Sequence, residues 1–283
     1  MQSTTSPLDT FAMDAQADAT TMEVQYLRPL LEQLPAPWRT AVDVGAHRGD
    51  VTAYLALMGY RVLAVEPHPQ MADRLGQRFA GPISRDAVRV ARCAASERAG
   101  EGADFFVGSA TTVNTLEEEW TTRGFPEHFG KRQTIRVPLR RVDDLVSDFT
   151  RERLGFLKVD VEGHEYPCLR GCFSRGSMAR PAVVMFEAFS RFPDAAEQCL
   201  LYLARQGYGT FDIFVRVGQE LTALERFRKP GLPEAWRERQ GTLFYANVIA
   251  YHPAASDRFA LPEPGTFLEQ YRLANDLETR AAA

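Results

Sequence analysis

Between Lys158 and Glu165 the segment "FLKVDVEGHEYPCLRG" gathers a lysine, a histidine and the acids Asp160, Glu162 and Glu165. The lysine is notable because only three, Lys131, Lys158 and Lys229, stand against thirty arginines. "GFLKVD" reads as a short buried strand with Asp160 at its carboxyl end, where ligands lie in open α/β sheets. A carboxylate there is costly unless it is paired or functional. Asp160 and His164 are therefore the candidate catalytic groups; an imidazole ordinarily titrates in the range a general base needs near neutrality. Acids this close raise one another's pKa unless a cation sits among them. Lys158 is one candidate for that cation, and a divalent metal on Asp160, Glu162 and Glu187 is the other. Glu162, Glu165 and Glu187, the last ending "VVMFE", are candidates to face a substrate, together with Asn114. Each has a plainer alternative. Glu165 complements a helix dipole, His164 makes a helix-start hydrogen bond, and Lys158 snorkels to the surface.

A second constellation precedes it. In "AVDVGAHRGD" the glycines Gly45 and Gly49 bracket a turn from a buried strand into a helix, which lets backbone N–H groups approach a ligand closely. The pattern is G-x-x-x-G rather than the G-x-G-x-x-G of dinucleotide folds, and Asp43 stands two residues before the first glycine. An anion at that strand end repels a pyrophosphate and suits an amine or sulfonium. Glu66, followed by Pro67, closes the next strand, where a carboxylate commonly accepts from both ribose hydroxyls. Together these residues describe a pocket for a nucleoside with a cationic appendage, which is the chemistry of S-adenosylmethionine.

The elements that position these groups follow from periodicity. "TMEVQYLRPLLEQLP" places Val24, Leu27, Leu31 and Leu34 at helical spacing, and residues 40–79 alternate strand, helix, strand, helix, the signature of a right-handed βαβ unit. A third strand is expected in "AVRVARCAAS", then an irregular, cap-like insertion at about 100–134 carrying Trp120, Phe125 and His128. "QTIRVPLRRVDDLV" reads as strand into helix, "PAVVMFEAF" as a strand and "QCLLYLARQGY" as a helix. "GTFDIFVRVG" and "TLFYANVIAYH", separated by a polar segment, suggest an antiparallel pair at a sheet edge. The expected organisation is a disordered tail over 1–20, a helix over 21–38, the main domain over 39–254, and an extension over 255–283 with a terminal helix.

Composition narrows the rest. A chain of 283 residues with 45% hydrophobic side chains suits one large α/β core. A net charge of −4, with no arginine cluster interleaved with aromatics, lacks the footprint of a nucleic-acid binder. Neither a signal-peptide pattern nor a membrane-length apolar run is present, so the expectation is a cytoplasmic protein with a small-molecule partner. Cys93, Cys168, Cys172 and Cys199 show no C-x-x-C spacing, and Cys168 and Cys172, four apart, read as two buried small hydrophobes. The oligomeric state stays open.

"VDVGAHRGDVT", "VLAVEPHP", "CAASERAGE", "IRVPLRRVDDLV" and above all "FLKVDVEGHEYPCLRG" resemble, in this order, the FkbM family of S-adenosylmethionine-dependent methyltransferases. The resemblance implies the class I methyltransferase fold, a Rossmann-like, seven-stranded, mostly parallel sheet with the final strand antiparallel. It also implies O-methylation of a hydroxyl, or occasionally a carboxylate, on a sugar, a polyketide or another secondary metabolite. By this resemblance Asp43, Gly45, His47 and Gly49 surround the methionine portion, Glu66 with Pro67 takes the ribose, and Ala94 and Ala95 lie near the adenine. Asp160 lies nearest the transfer axis, next to the cofactor. His47 stands where many members carry Asn. The alternatives are a carboxyl methyltransferase, a non-catalytic nucleoside-binding partner in a biosynthetic complex and, more distantly, an NAD-dependent oxidoreductase.

Overall fold

A computed structural model describes residues 20–81, 86–130, 133–173, 180–228, 231–239 and 241–282; the tail expected to be disordered lies, but for Thr20, outside them. The chain opens with helix α1 (Thr20–Gln33), whose Val24, Leu27 and Leu31 are fully buried as their spacing predicts. Strand β1 (Thr40–Val44), α2 (Asp50–Leu57), β2 (Arg61–Val65), α3 (Pro69–Arg78) and β3 (Val88–Ala91) form the expected βαβ units. Then come β4 (Ala94–Ala95), β5 (Gly100–Val107), β6 (Gln133–Arg140), α4 (Val142–Phe149), β7 (Leu154–Val159), α5 (Glu165–Cys172), β8 (Val183–Phe189) and α6 (Pro193–Arg205). The chain ends with β9 (Thr210–Val217), β10 (Glu220–Phe227), α7 (Glu234–Arg237), β11 (Tyr245–Tyr251), α8 (Pro253–Ser256) and α9 (Pro264–Ala282).

The main sheet has the order β10-β9-β11-β8-β7-β1-β2-β3. β1 pairs in parallel with both β2 and β7, and β7 with β8, so these strands end at one edge of the sheet. β11 is antiparallel to both β8 and β9. The class I architecture holds, with one correction: the sheet has eight strands, not seven. The extra strand is β10, a hairpin return antiparallel to β9, in the segment expected to be a polar connection. Its sequence "ELTALERF" is half polar, yet Leu221 and Leu224 are buried and join the core that includes Phe267, Leu268 and Tyr271 of α9. The antiparallel pair β9 and β11 exists, but it lies inside the sheet rather than at its edge.

Side chains alternate between two cores, as a sheet covered on both faces requires. Val42, Leu157, Phe186, Val248 and Ile213 point toward α4, α5 and α6. Ala41, Phe156, Met185, Ile249 and Phe214 point toward α1, α2, α8 and α9. On the second face lie the strand positions Asp43, Lys158, Glu187, Asn247, Arg216 and Asp212, so the fold sets a polar row along one side of an otherwise apolar layer. Asp212 is fully buried and satisfied: Tyr26 and Tyr251 each donate to Oδ2 at 2.6 Å, and Arg226 donates at 2.7 and 2.9 Å. This network ties α1 and β10 to the sheet.

The insertion is more regular than its composition suggests. β5 and β6 pair antiparallel and β4 joins β6 in parallel, giving a second, three-stranded sheet. Its first half was expected to be irregular because "GEGAD" carries no strand-forming side chain; Phe105 and Phe106 anchor it instead. Beyond β5 the chain folds over Trp120, Phe125 and Phe129, which pack with Phe189 of β8. All four cysteines are buried and free, Cys168 and Cys172 as expected for small hydrophobes.

Gly155 is the second residue of β7, and a Cβ there would lie 2.2 Å from the Trp38 carbonyl oxygen. Backbone cannot yield that much, so Gly155→Ala is expected to lower stability by at least ~2 kcal/mol in urea unfolding monitored by circular dichroism. An unchanged midpoint would contradict this packing.

Candidate functional site

A cavity of about 350 Å³ opens at the carboxyl ends of β1, β2 and β7. Its first wall is the turn after β1. Gly45 has φ +76°, and a Cβ on it would lie 1.7 Å from the backbone oxygen of Asp160, so only glycine lets the β1 turn lie against the end of β7. Gly49 has a different task. It starts α2 with φ +83°, and a Cβ there would meet Leu75 and Phe79 of α3 at 2.5 and 2.8 Å. It is not among the residues that line the cavity, which corrects its placement around a ligand.

Asp43 and Lys158 are register partners on β1 and β7. Both are buried, at 0% and 4% exposure, a depth at which neither charge is stable alone. Lys158 Nζ lies 3.4 Å from Asp43 Oδ1 and 3.2 Å from Asp160 Oδ2, and it donates to the Gly45 carbonyl at 3.1 Å. The contact to Asp43 is an ion pair rather than a formed hydrogen bond, since Oδ1 has no hydrogen-bond partner. Thr52 of α2 donates to the other oxygen of Asp43 at 2.6 Å. Lys158 therefore does not snorkel; it is the cation among the acids.

Glu66, at the end of β2, lines the cavity. Its carboxylate accepts from the backbone N–H groups of His47 at 2.9 Å and His68 at 2.8 Å. Burial nevertheless pushes the carboxyl up to about 7. Pro67, Ala94 and Ala95 continue this wall, and Phe105, Val113 and Leu116 of the insertion face it. His47 has φ +47° and bonds through Nε2 to Thr111 Oγ1 at 2.8 Å, joining the glycine turn to the insertion.

The acid-rich turn divides its residues. Asp160, Glu162 and Glu187 line the cavity, with carboxylate oxygens all within 4.8 Å of one another. Burial, reinforced by the charges of Asp160, Glu162 and Glu165, raises the carboxyl of Glu187 well above its ordinary range. His164 and Glu165 do not line it. His164 Nδ1 lies 2.5 Å from Glu117 Oε1 and Nε2 lies 3.0 Å from Ser96 Oγ, so both ring nitrogens are engaged away from the cavity. Glu165 is buried and accepts from the backbone N–H groups of Val161 at 2.9 Å and Gly163 at 3.1 Å; burial pushes it up to about 7. It closes its own turn. These two placements correct the expectation that both residues face the reaction, because the helix start turns their side chains back onto the preceding loop.

Asn114 lines the cavity, while its Oδ1 accepts from Gly108 N at 3.0 Å. Phe125 also lines it; Trp120 and His128 do not. The far end is built by residues that sequence reasoning passed over: Arg216 and Gln219 around the β9–β10 turn, and Tyr245 and Asn247 of β11. Arg216 donates to Glu23 of α1 at 2.5 Å, and Asn247 donates to the same oxygen at 3.1 Å. A polar residue on the inward register of an apolar strand, as in "FDIFVRV" and "YANVIAY", is the signal that marks them.

The donor set fits a methylated nucleoside. Glu66 presents a carboxylate held by two backbone N–H groups, Ala94 and Ala95 form a small apolar wall, and the acids at the ends of β1 and β7 lie beside them. Residues 43–209, more than half of the chain, match the family model described as the Methyltransferase FkbM domain. Among curated proteins, "Methyltransferase sdnD" of Sordaria araneosa is 32% identical over 152 residues, which are 46% of this chain and 59% of that protein. The chain thus spans 59% of the length of that relative. Among solved structures, an O-methyltransferase from Bacillus cereus in complex with SAH is 11% identical, with 83% of this chain and 81% of that chain covered and a TM-score of 0.45. The C-terminal domain of precorrin-6Y C5,15-methyltransferase from Rhodobacter capsulatus is 12% identical, covering 87% and 97%, with a TM-score of 0.43. An rRNA methylase from Streptococcus thermophilus is 12% identical, covering 82% and 95%, with a TM-score of 0.39. Likeness at this level carries no argument about the acceptor. No helix among the described residues is long and apolar enough to cross a membrane.

Glu66 holds its proton to higher pH in the native state than in the unfolded chain, where its value is 4.5. Its contribution to stability is therefore present below about pH 4.5 and is lost as pH rises through about 7. Glu66→Gln keeps an acceptor without the charge. Its stability relative to the parent is expected to rise by on the order of 2–3 kcal/mol between about pH 5 and pH 8 in urea unfolding. A difference that does not change with pH would contradict this.

Proposed function

The chain belongs to the FkbM methyltransferase-domain family, and from that premise we propose that it is an S-adenosylmethionine-dependent O-methyltransferase acting on a hydroxyl of a small metabolite, sugar or polyketide-type natural product. The observation that carries the cofactor half is the Glu66 carboxylate, held at the end of β2 by two backbone N–H groups and facing the cavity. It would accept from the ribose hydroxyls. Asp43, Gly45 and His47 would border the methionine portion, and Ala94 and Ala95 the adenine. S-adenosylmethionine supplies an electrophilic methyl group on a sulfonium.

The chain's own residues align and activate the acceptor. In-line transfer draws much of its rate from positioning, which the cavity walls from β8, β11 and the insertion would provide. Asp160, at the end of β7 and beside Lys158, is the group placed to take the proton of an attacking hydroxyl; such a base is worth on the order of 10²–10⁴-fold. His164 serves as a positioning residue, joining Glu117 of the insertion to Ser96 across the acid turn.

Isothermal titration with S-adenosylhomocysteine is expected to show one site per chain, whereas NAD gives no heat. Glu66→Ala, which loses charge-assisted hydrogen bonds, should weaken S-adenosylhomocysteine by at least about tenfold. Absence of heat with S-adenosylhomocysteine in folded protein would overturn the reading.

A further inference from the structure

Asp43, Asp160, Glu162 and Glu187 are among the acids that line the cavity, with Lys158 placed between the strands. An ammonium group has three protons to give. Lys158 Nζ donates to the Gly45 carbonyl at 3.1 Å and forms ion pairs with Asp160 Oδ2 at 3.2 Å and Asp43 Oδ1 at 3.4 Å. It balances the charge at the ends of β1 and β7, and among the acids on the acceptor side it pairs with Asp160.

On that side a ligand atom from each of Asp160, Glu162 and Glu187 lies within 4.8 Å of the others. Around a six-coordinate Mg²⁺ trans oxygens are about 4.2 Å apart and cis oxygens about 3 Å, so an ion here would draw these three atoms closer together. A separate observation singles out Glu187. The residue is partly exposed, yet its Oε2 atom is shielded from solvent and has no hydrogen-bond partner among the described residues. A buried carboxylate oxygen left without a donor is costly, and water or a cation is what usually satisfies it. The backbone holds the other end of the cluster in place. Glu162 has φ +54°, and its carbonyl accepts from Thr115 Oγ1 of the insertion at 2.6 Å. Gly163, with φ +97°, lies where a Cβ would come within 2.7 Å of the Trp120 ring.

We propose that Asp160, Glu162 and Glu187 form a binding site for one divalent cation of the hard, oxygen-preferring class, Mg²⁺ or Mn²⁺. Three carboxylate oxygens and no nitrogen or sulfur donor select that class. Three protein ligands leave coordination positions toward the cavity, where water sits until oxygens of an acceptor replace it. A cation there lowers the pKa of a bound hydroxyl. This deepens the methyl-transfer reading, because it places the activating charge on the acceptor side, opposite Glu66. The ion's affinity, however, is measured without cofactor or acceptor, so its failure and the failure of that reading are separate results.

The full chain, freed of metal by chelation, is titrated with Mn²⁺ while the electron paramagnetic resonance of the free ion is recorded. The expected result is one Mn²⁺ per chain, competed by Mg²⁺. Glu187→Gln and Glu162→Gln, each of which keeps the side-chain shape, should weaken it at least about tenfold. Glu238→Gln, at a surface ion pair with Arg239, should leave it unchanged. Circular dichroism reports whether each variant folds, and Asp160→Asn provides a third independent variant. No Mn²⁺ bound up to millimolar concentration would overturn the proposal. So would binding that survives the three carboxylate substitutions in folded protein.

Discussion

The Lys158 ammonium is the contact on which the site depends. It lies where the ends of β1 and β7 meet, 3.1 Å from the Gly45 carbonyl and 3.2–3.4 Å from Asp160 and Asp43. Buried charges are tolerated when each is paired and its remaining hydrogen-bonding capacity is met. The surrounding sequence meets that condition. Thr52 takes the second oxygen of Asp43 at 2.6 Å, and Gly45, lacking a side chain, lets the two strand ends touch. A lysine is scarce in this chain, and a compact, three-proton cation suits a junction of three oxygens better than a planar guanidinium.

From that junction the cavity extends in two directions with different chemistry. Toward β2 small residues lie beside Glu66, whose carboxylate is gripped by backbone N–H groups. Toward β8 and β11 it is charged and aromatic. Phe125 and Tyr245 stack with ring centroids 5.9 Å apart, and Glu187 lies on the register that pairs with Asn247. The insertion lies along both directions. Thr111 meets His47 on one side, and Thr115 meets the Glu162 carbonyl on the other. A group bound at either end therefore meets the same covering segment, which connects recognition of the two ligands without any shared side chain.

Much of the cavity wall at β1 and β2 was legible in the sequence because its determinants are local. A short apolar strand, a glycine turn and an acid at the next strand end occupy one stretch, and each has a physical meaning without knowledge of the fold. Asp160 was legible for the same reason. The acceptor half was not, since Arg216, Tyr245 and Asn247 come from β9 and β11, and only sheet order brings them beside β7. His164 and Glu165 were misplaced because spacing gives proximity, whereas the helix start decides direction. β10 escaped notice because an edge strand needs only one apolar face, and half of its residues are polar.

The most direct test of Lys158 as the organising charge is the dissociation constant of S-adenosylhomocysteine for Lys158→Gln, measured by calorimetry on protein whose circular dichroism is that of the parent. Removing the cation leaves Asp43 and Asp160 to repel across the Gly45 turn, and the predicted result is binding weakened by at least about tenfold. Affinity equal to that of the parent would contradict the account.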